Sequence, residues 1–216
     1  MMFARLGGSA PRRLVLVLAV FLGAAAHLSA HPVILITYRQ DFNFDSGGLT
    51  GFYETWKFDQ VHSEQILQMF DANHNGKIDP DEMPALQKGY FDDLKDYSYF
   101  TSIVLDGKPV ATPTVTDFNA AFEDNRMIYH FFVPLRVPAS ADEHELDVTI
   151  WDPTYYTDLS VEGADALTLR RPASIDASVS VANDHRHFYN LAPGVTLVKA
   201  PPFYLKMIVV RFKQAG

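Results

Sequence analysis

Residues 33–44 partly alternate apolar and polar side chains, Asp45-Ser46-Gly47-Gly48 supplies turn residues, and residues 49–58 alternate again. A period of two on either side of a turn predicts a β-hairpin. After Asp59 the period lengthens: Ile66, Leu67, Met69 and Phe70 recur at helical spacing, and so do Met83, Leu86, Phe91 and Leu94. Strand signals return at residues 102–105, followed by an Asp106-Gly107 turn, and continue at 114–122, 127–134 and 144–151. Three further short runs, 175–181, 195–198 and 206–212, complete the series. Short strands separated by turn residues predict a mainly β protein, an immunoglobulin-like two-sheet sandwich. A helix-loop-helix unit is inserted into it at about residues 60–100.

The first thirty residues change this picture. Arg5, Arg12 and Arg13 precede an apolar run at 14–26, and a small-residue stretch ends at Ala30. That pattern is expected of a cleaved secretory signal peptide, leaving residues 31–216 as one domain exported to the periplasm. The leader carries three of the 18 basic residues and none of the 26 acidic ones, so the mature formal charge is 15 − 26, or −11. An acidic chain without a basic stripe argues against nucleic-acid binding. No second apolar run reaches membrane-spanning length. Cysteine is absent, so no disulfide stabilises the fold.

Between the two helical runs lies DANHNGKIDPDE, residues 71–82. Calcium takes six to eight oxygens around a sharp turn. Asp71, Asn73 and Asn75 stand at loop positions one, three and five, Gly76 at the sixth, and Glu82 at the twelfth. Lys77 offers its carbonyl, and Asp79 can act through water. The full EF-hand-type pattern with helical flanks is a specific signal for calcium. An ion-free turn rich in aspartate and asparagine would explain part of the composition, though not the placement of Glu82. Two neutral amides among the donors set the expected affinity at the weak end, roughly 10⁻⁴ to 10⁻³ M, which suits a structural brace.

Softer donors are the seven histidines outside the leader: His31, His62, His74, His130, His144, His185 and His187. His31 would be the first mature residue, where a free α-amine and its own imidazole could chelate zinc, nickel or copper. His185 and His187 alternate, so two imidazoles could share one face of a strand, although Asn183, Asp184 and Asn190 around them read as a loop. His74 falls at a loop position that does not ligate; His62, His130 and His144 read as surface or internally satisfied residues. In Asp152-Pro153-Thr154-Tyr155-Tyr156 the tyrosines either cap the core or line a ligand cleft, with capping the simpler reading. No G-x-S-x-G or H-E-x-x-H motif is present, and pairs such as Asp92 and Asp93 read as an acidic helix face, so no enzymatic activity is expected.

Several of these features occur together: a mature start at His31-Pro32, a hairpin ending Trp56-Lys57-Phe58-Asp59, one calcium-type loop, Tyr99-Phe100-Thr101 before a strand with Asp-Gly, and Asp152-Pro153-Thr154-Tyr155-Tyr156. In this combination the chain resembles the bacterial domain-of-unknown-function family one-thousand-and-seven, described as the periplasmic component of an uncharacterised transport system. The resemblance implies a metal-binding accessory or solute-binding role in zinc, nickel or cobalt uptake, beside an inner-membrane metal permease. Members usually begin His-Pro-His, whereas this chain has His31-Pro32-Val33, so an ion held by that histidine pair in the family would here be bound weakly or recruit His185 or His187 instead. The alternative expectation is a calcium-stabilised envelope interaction module with no transition metal. A copper oxidase-type site on His31 is a third and more distant one.

Overall fold

The computed structural model describes residues 34–154, 156–163, 165–184 and 205–216. The expected leader, His31, the expected strand at 195–198, and His185 and His187 all lie outside the described residues.

Strands β1 (Ile34–Asp45) and β2 (Gly48–Phe58) form the expected hairpin. Along β1, Ile36, Tyr38, Gln40, Phe42 and Phe44 are buried in strict alternation, as period two requires of a strand with one covered face. The register shifts at Asn43/Phe44 and again opposite Gly51. Gly51 has φ +142°, and a Cβ there would meet the Val133 carbonyl at 2.4 Å, so only glycine fits this irregularity.

Helix α1 (Gln60–Phe70) follows, and a four-residue turn of helix, α2 (Met83–Leu86), lies beyond the loop. The second helical run is not the regular helix its periodicity predicted. After α2 the chain passes through a π-type turn at Gln87–Phe91 and 3-10 turns at Asp92–Phe100. Within that last segment Ser98, Tyr99 and Phe100 take φ of 54°, 50° and 55°. Each such left-handed step costs a non-glycine residue roughly 1–2 kcal/mol, and the irregular path lets both Phe91 and Tyr99 reach the core.

The remaining strands are β3 (Thr101–Leu105), β4 (Lys108–Val110), β5 (Thr116–Glu123), β6 (Arg126–Pro138), β7 (His144–Ile150), β8 (Thr157–Val161), β9 (Leu167–Arg170), β10 (Ile175–Asn183) and β11 (Lys206–Gln214). They form two sheets: β5-β6-β2-β1-β8, with β9 also on β1, and β10-β11-β7-β3-β4. The mainly β, two-sheet sandwich with a helical insertion is therefore what the chain adopts. Its inner faces meet at pairs such as Phe44 and Phe212, whose ring centroids are 5.2 Å apart at 66°. Each fully buried aromatic side chain here, among them Phe42, Phe52, Phe131 and Phe212, is worth roughly 1.5–3 kcal/mol of transfer from water. Strands β8 and β9 pair with β1 in parallel, which the periodicity did not reveal. Among the described residues no helix is long and apolar enough to cross a membrane.

Candidate functional site

The loop from Asp71 to Glu82 is closed by its two terminal carboxyls. Asp71 and Glu82 are both buried, at 6% exposure each, while residues 72–77 between them are exposed. Asp71 accepts from the backbone N–H of Asn75 (3.1 Å) and of Gly76 (2.8 Å). Glu82 accepts from Ala72 (2.7 Å) and Asn73 (3.3 Å) with one oxygen and from Asp79 (2.9 Å) with the other. The side chains of Asn73 and Asn75 accept from the N–H two residues on, each at 3.0 Å. Gly76 takes φ +80°, the turn expected at the sixth position, and His74, also at positive φ, is exposed and takes no part.

Asp79 receives the side-chain amides of Asn73 (2.9 Å) and Asn75 (2.6 Å), and these two donors hold its carboxyl below the usual range. The sequence-predicted ligands Asp71, Asn73, Asn75, Lys77, Asp79 and Glu82 are thus gathered into one turn. Every side-chain donor it offers a cation is an oxygen, which fits a hard ion such as calcium and not a soft one. Among the described residues no three histidine, aspartate or glutamate side chains form a metal-holding cluster by themselves. A cation in the loop would therefore draw on amide and backbone oxygens as well.

The described histidines do not converge. His62 Nε2 pairs with the Tyr90 hydroxyl at 2.6 Å and stacks on Phe58. His130 Nδ1 pairs with Thr55 Oγ1 at 2.9 Å and stacks on Tyr53. His144 Nδ1 lies 2.8 Å from Asp106. Each has a local partner, as expected of satisfied histidines.

A second cluster escaped the sequence reading. Gln40 and Glu54 face each other across β1 and β2, both fully buried. Glu54 accepts from Trp56 Nε1 (2.8 Å), Gln40 Nε2 (3.3 Å) and Thr101 Oγ1 (3.1 Å). Desolvation outweighs those donors and pushes its pKa up to about 7. The signal was available, since both residues occupy inward-pointing phases of their strands, between large apolar neighbours.

Trp56 also borders a cavity of about 280 Å³ whose rim carries Asp152, Thr154 and Tyr156. Asp152 is buried and accepts from Thr154 N and Oγ1, both at 2.7 Å, and from Thr157 N at 2.8 Å. Tyr156 is 54% exposed. At Asp152 and Tyr156 the segment lines a cleft and does not cap the core; Tyr155 lies outside the described residues.

A two-sheet β protein with an acidic helical insertion and an oxygen-rich loop is the class these features define. The chain belongs to the family described as a protein of unknown function, DUF1007, which matches residues 16–189. Over 89 residues it is 45% identical to an uncharacterised 15.5 kDa protein in the trpE 3′ region of Spirochaeta aurantia. That match covers 41% of this chain and 63% of the relative, so it spans less than two thirds of the relative's length.

Proposed function

We propose that the protein is an exported periplasmic accessory or solute-binding component of a transition-metal uptake system, with calcium bracing its helical insertion. The observation that carries the brace is the loop itself. Two buried carboxyls gather five backbone N–H groups, and the remaining oxygens stand at the calcium-loop spacing. A loop already closed in this way is preorganised for an ion, and having no second such unit beside it in the sequence it suits a brace better than a sensor.

The cargo would be zinc, nickel or cobalt, held by softer donors than the loop provides. Support for that part comes from the family resemblance and from His31, His185 and His187. An inner-membrane permease is the partner this role requires. A second reading, an envelope interaction module braced by calcium alone, is favoured by the engagement of His62, His130 and His144 with local partners.

Metal content and thermal unfolding of the intact exported chain separate the two. After chelator treatment, calcium, zinc, nickel, cobalt and copper are added singly. Uptake predicts that a transition ion raises the midpoint beyond the calcium effect, and that His31→Ala or the His185→Ala/His187→Ala pair removes that increment. A response to calcium alone leaves the interaction module as the function.

A further inference from the structure

We propose that the cavity rimmed by Asp152 and Tyr156 binds a small quaternary ammonium ion. Six aromatic residues stand in its wall: Trp56, Phe58, Tyr90, Phe100, Tyr129 and Tyr156. The one formally charged residue among them and their neighbours in the wall is Asp152, and no lysine or arginine is present there. Aromatic rings attract a weakly hydrated cation through their quadrupoles, and a nearby carboxyl without a competing base adds to that attraction. His62, which pairs with Tyr90 at the edge of this wall, is held below its ordinary pKa by burial and so adds no positive charge near neutral pH.

One further observation points to a ligand. The wall residue Phe100 is the last of the three consecutive residues at positive φ, and this strained path sets its ring on Trp56, with centroids 5.9 Å apart at 9°. Strain of this kind gathers where a fold clamps a ligand. The volume, about 280 Å³, lies at the small end of ligand sites and limits the occupant to a few heavy atoms beyond the ammonium group. The cation would be read by Asp152 and by the rings with a surface in the cavity, Tyr90, Phe100 and Tyr156.

Isothermal titration of the intact chain with choline and with 3,3-dimethylbutan-1-ol, its neutral carbon counterpart of the same shape, tests this directly. Choline is expected to bind at least tenfold more tightly than the neutral alcohol. Phe100→Leu and Asp152→Asn should each weaken choline at least fivefold. Because Phe100 and Asp152 also support the fold, Tyr156→Leu, at an exposed rim position, serves as the control variant. Its side chain is 54% exposed, so it should unfold no earlier than the parent chain and still bind choline at least threefold more weakly. Equal affinity for the two compounds overturns the cation assignment. Absence of binding by either one overturns the site.

Discussion

Glu54 is a glutamate placed by strand phase where its charge is least tolerated. Burial pushes its pKa up to about 7 from an ordinary value of 4.5, against the pull of Trp56, Thr101 and Gln40. Between those two values the folded chain holds a proton that the unfolded chain has released. Stability therefore falls as pH rises across this window, and the penalty is complete above about pH 7. A shift of that size corresponds to about 3 kcal/mol. The neighbouring Gln40 Oε1 is a buried acceptor without a partner, and a protonated Glu54 brings a further donor into its cluster. Urea unfolding at intervals from pH 5 to pH 8 should show the parent chain weakening relative to Glu54→Gln, which keeps an acceptor for Trp56, carries no charge and should not decline. Parallel decline of both proteins would assign the pH dependence to other groups.

At the scale of elements, one side chain ties the insertion to the sheet. Asp59 caps α1 by accepting from His62 N at 2.9 Å, and its other oxygen accepts from Leu35 N at 3.0 Å in β1. Burial would raise its pKa, but the bonds from His62 and Leu35, with smaller contributions beside them, outweigh that and hold it below the usual carboxyl range. Its contribution is thus present above the unfolded value near pH 4 and lost as pH falls through the folded one. Asp59→Ala should cost roughly 1–2 kcal/mol at pH 7, the usual cost of a lost cap, read as a lower urea midpoint at unchanged slope. The hairpin and α1 were legible in the sequence because local period and turn residues agree there. The second half of the insertion was not, because Gly89 and the need to bury both Phe91 and Tyr99 interrupt the helix that the spacing suggests, soon after Pro84 has opened its first turn. Strands β8 and β9 are short and mostly half-exposed, and they join β1 from more than a hundred residues away, so no local pattern marks them. The loop could be read because its chemistry is contiguous. The cavity could not, since its wall is assembled from β1, β2, the irregular turns, β6 and the segment after β7.

For the whole molecule, the proposed brace makes stability a function of calcium. With no disulfide available, the chain holds its helical insertion to the sandwich through packing, through Asp59, and through the turn that Asp71 and Glu82 close. An ion in that turn would lock the two halves of the insertion together while neutralising part of a strongly acidic chain. A binding constant in the weak range, roughly 10⁻⁴ to 10⁻³ M, means that calcium at about 10 mM exceeds it ten- to a hundredfold. Mass action then adds about 1.4–2.7 kcal/mol to the folded state. For a domain of this length that gain corresponds to an increase in midpoint of about 3–10 °C. Sodium chloride at matched ionic strength should not reproduce it, because screening of exposed charge is not specific for the loop. Glu82→Gln removes one of the three carboxylates of the donor set while leaving an oxygen for the backbone N–H groups, so it should fold and yet lose most of the calcium-dependent rise. A midpoint in the parent chain that does not move with calcium would reduce the turn to an ion-free connection between two helical segments, and the stability of the insertion would then rest on its packing against the sheet.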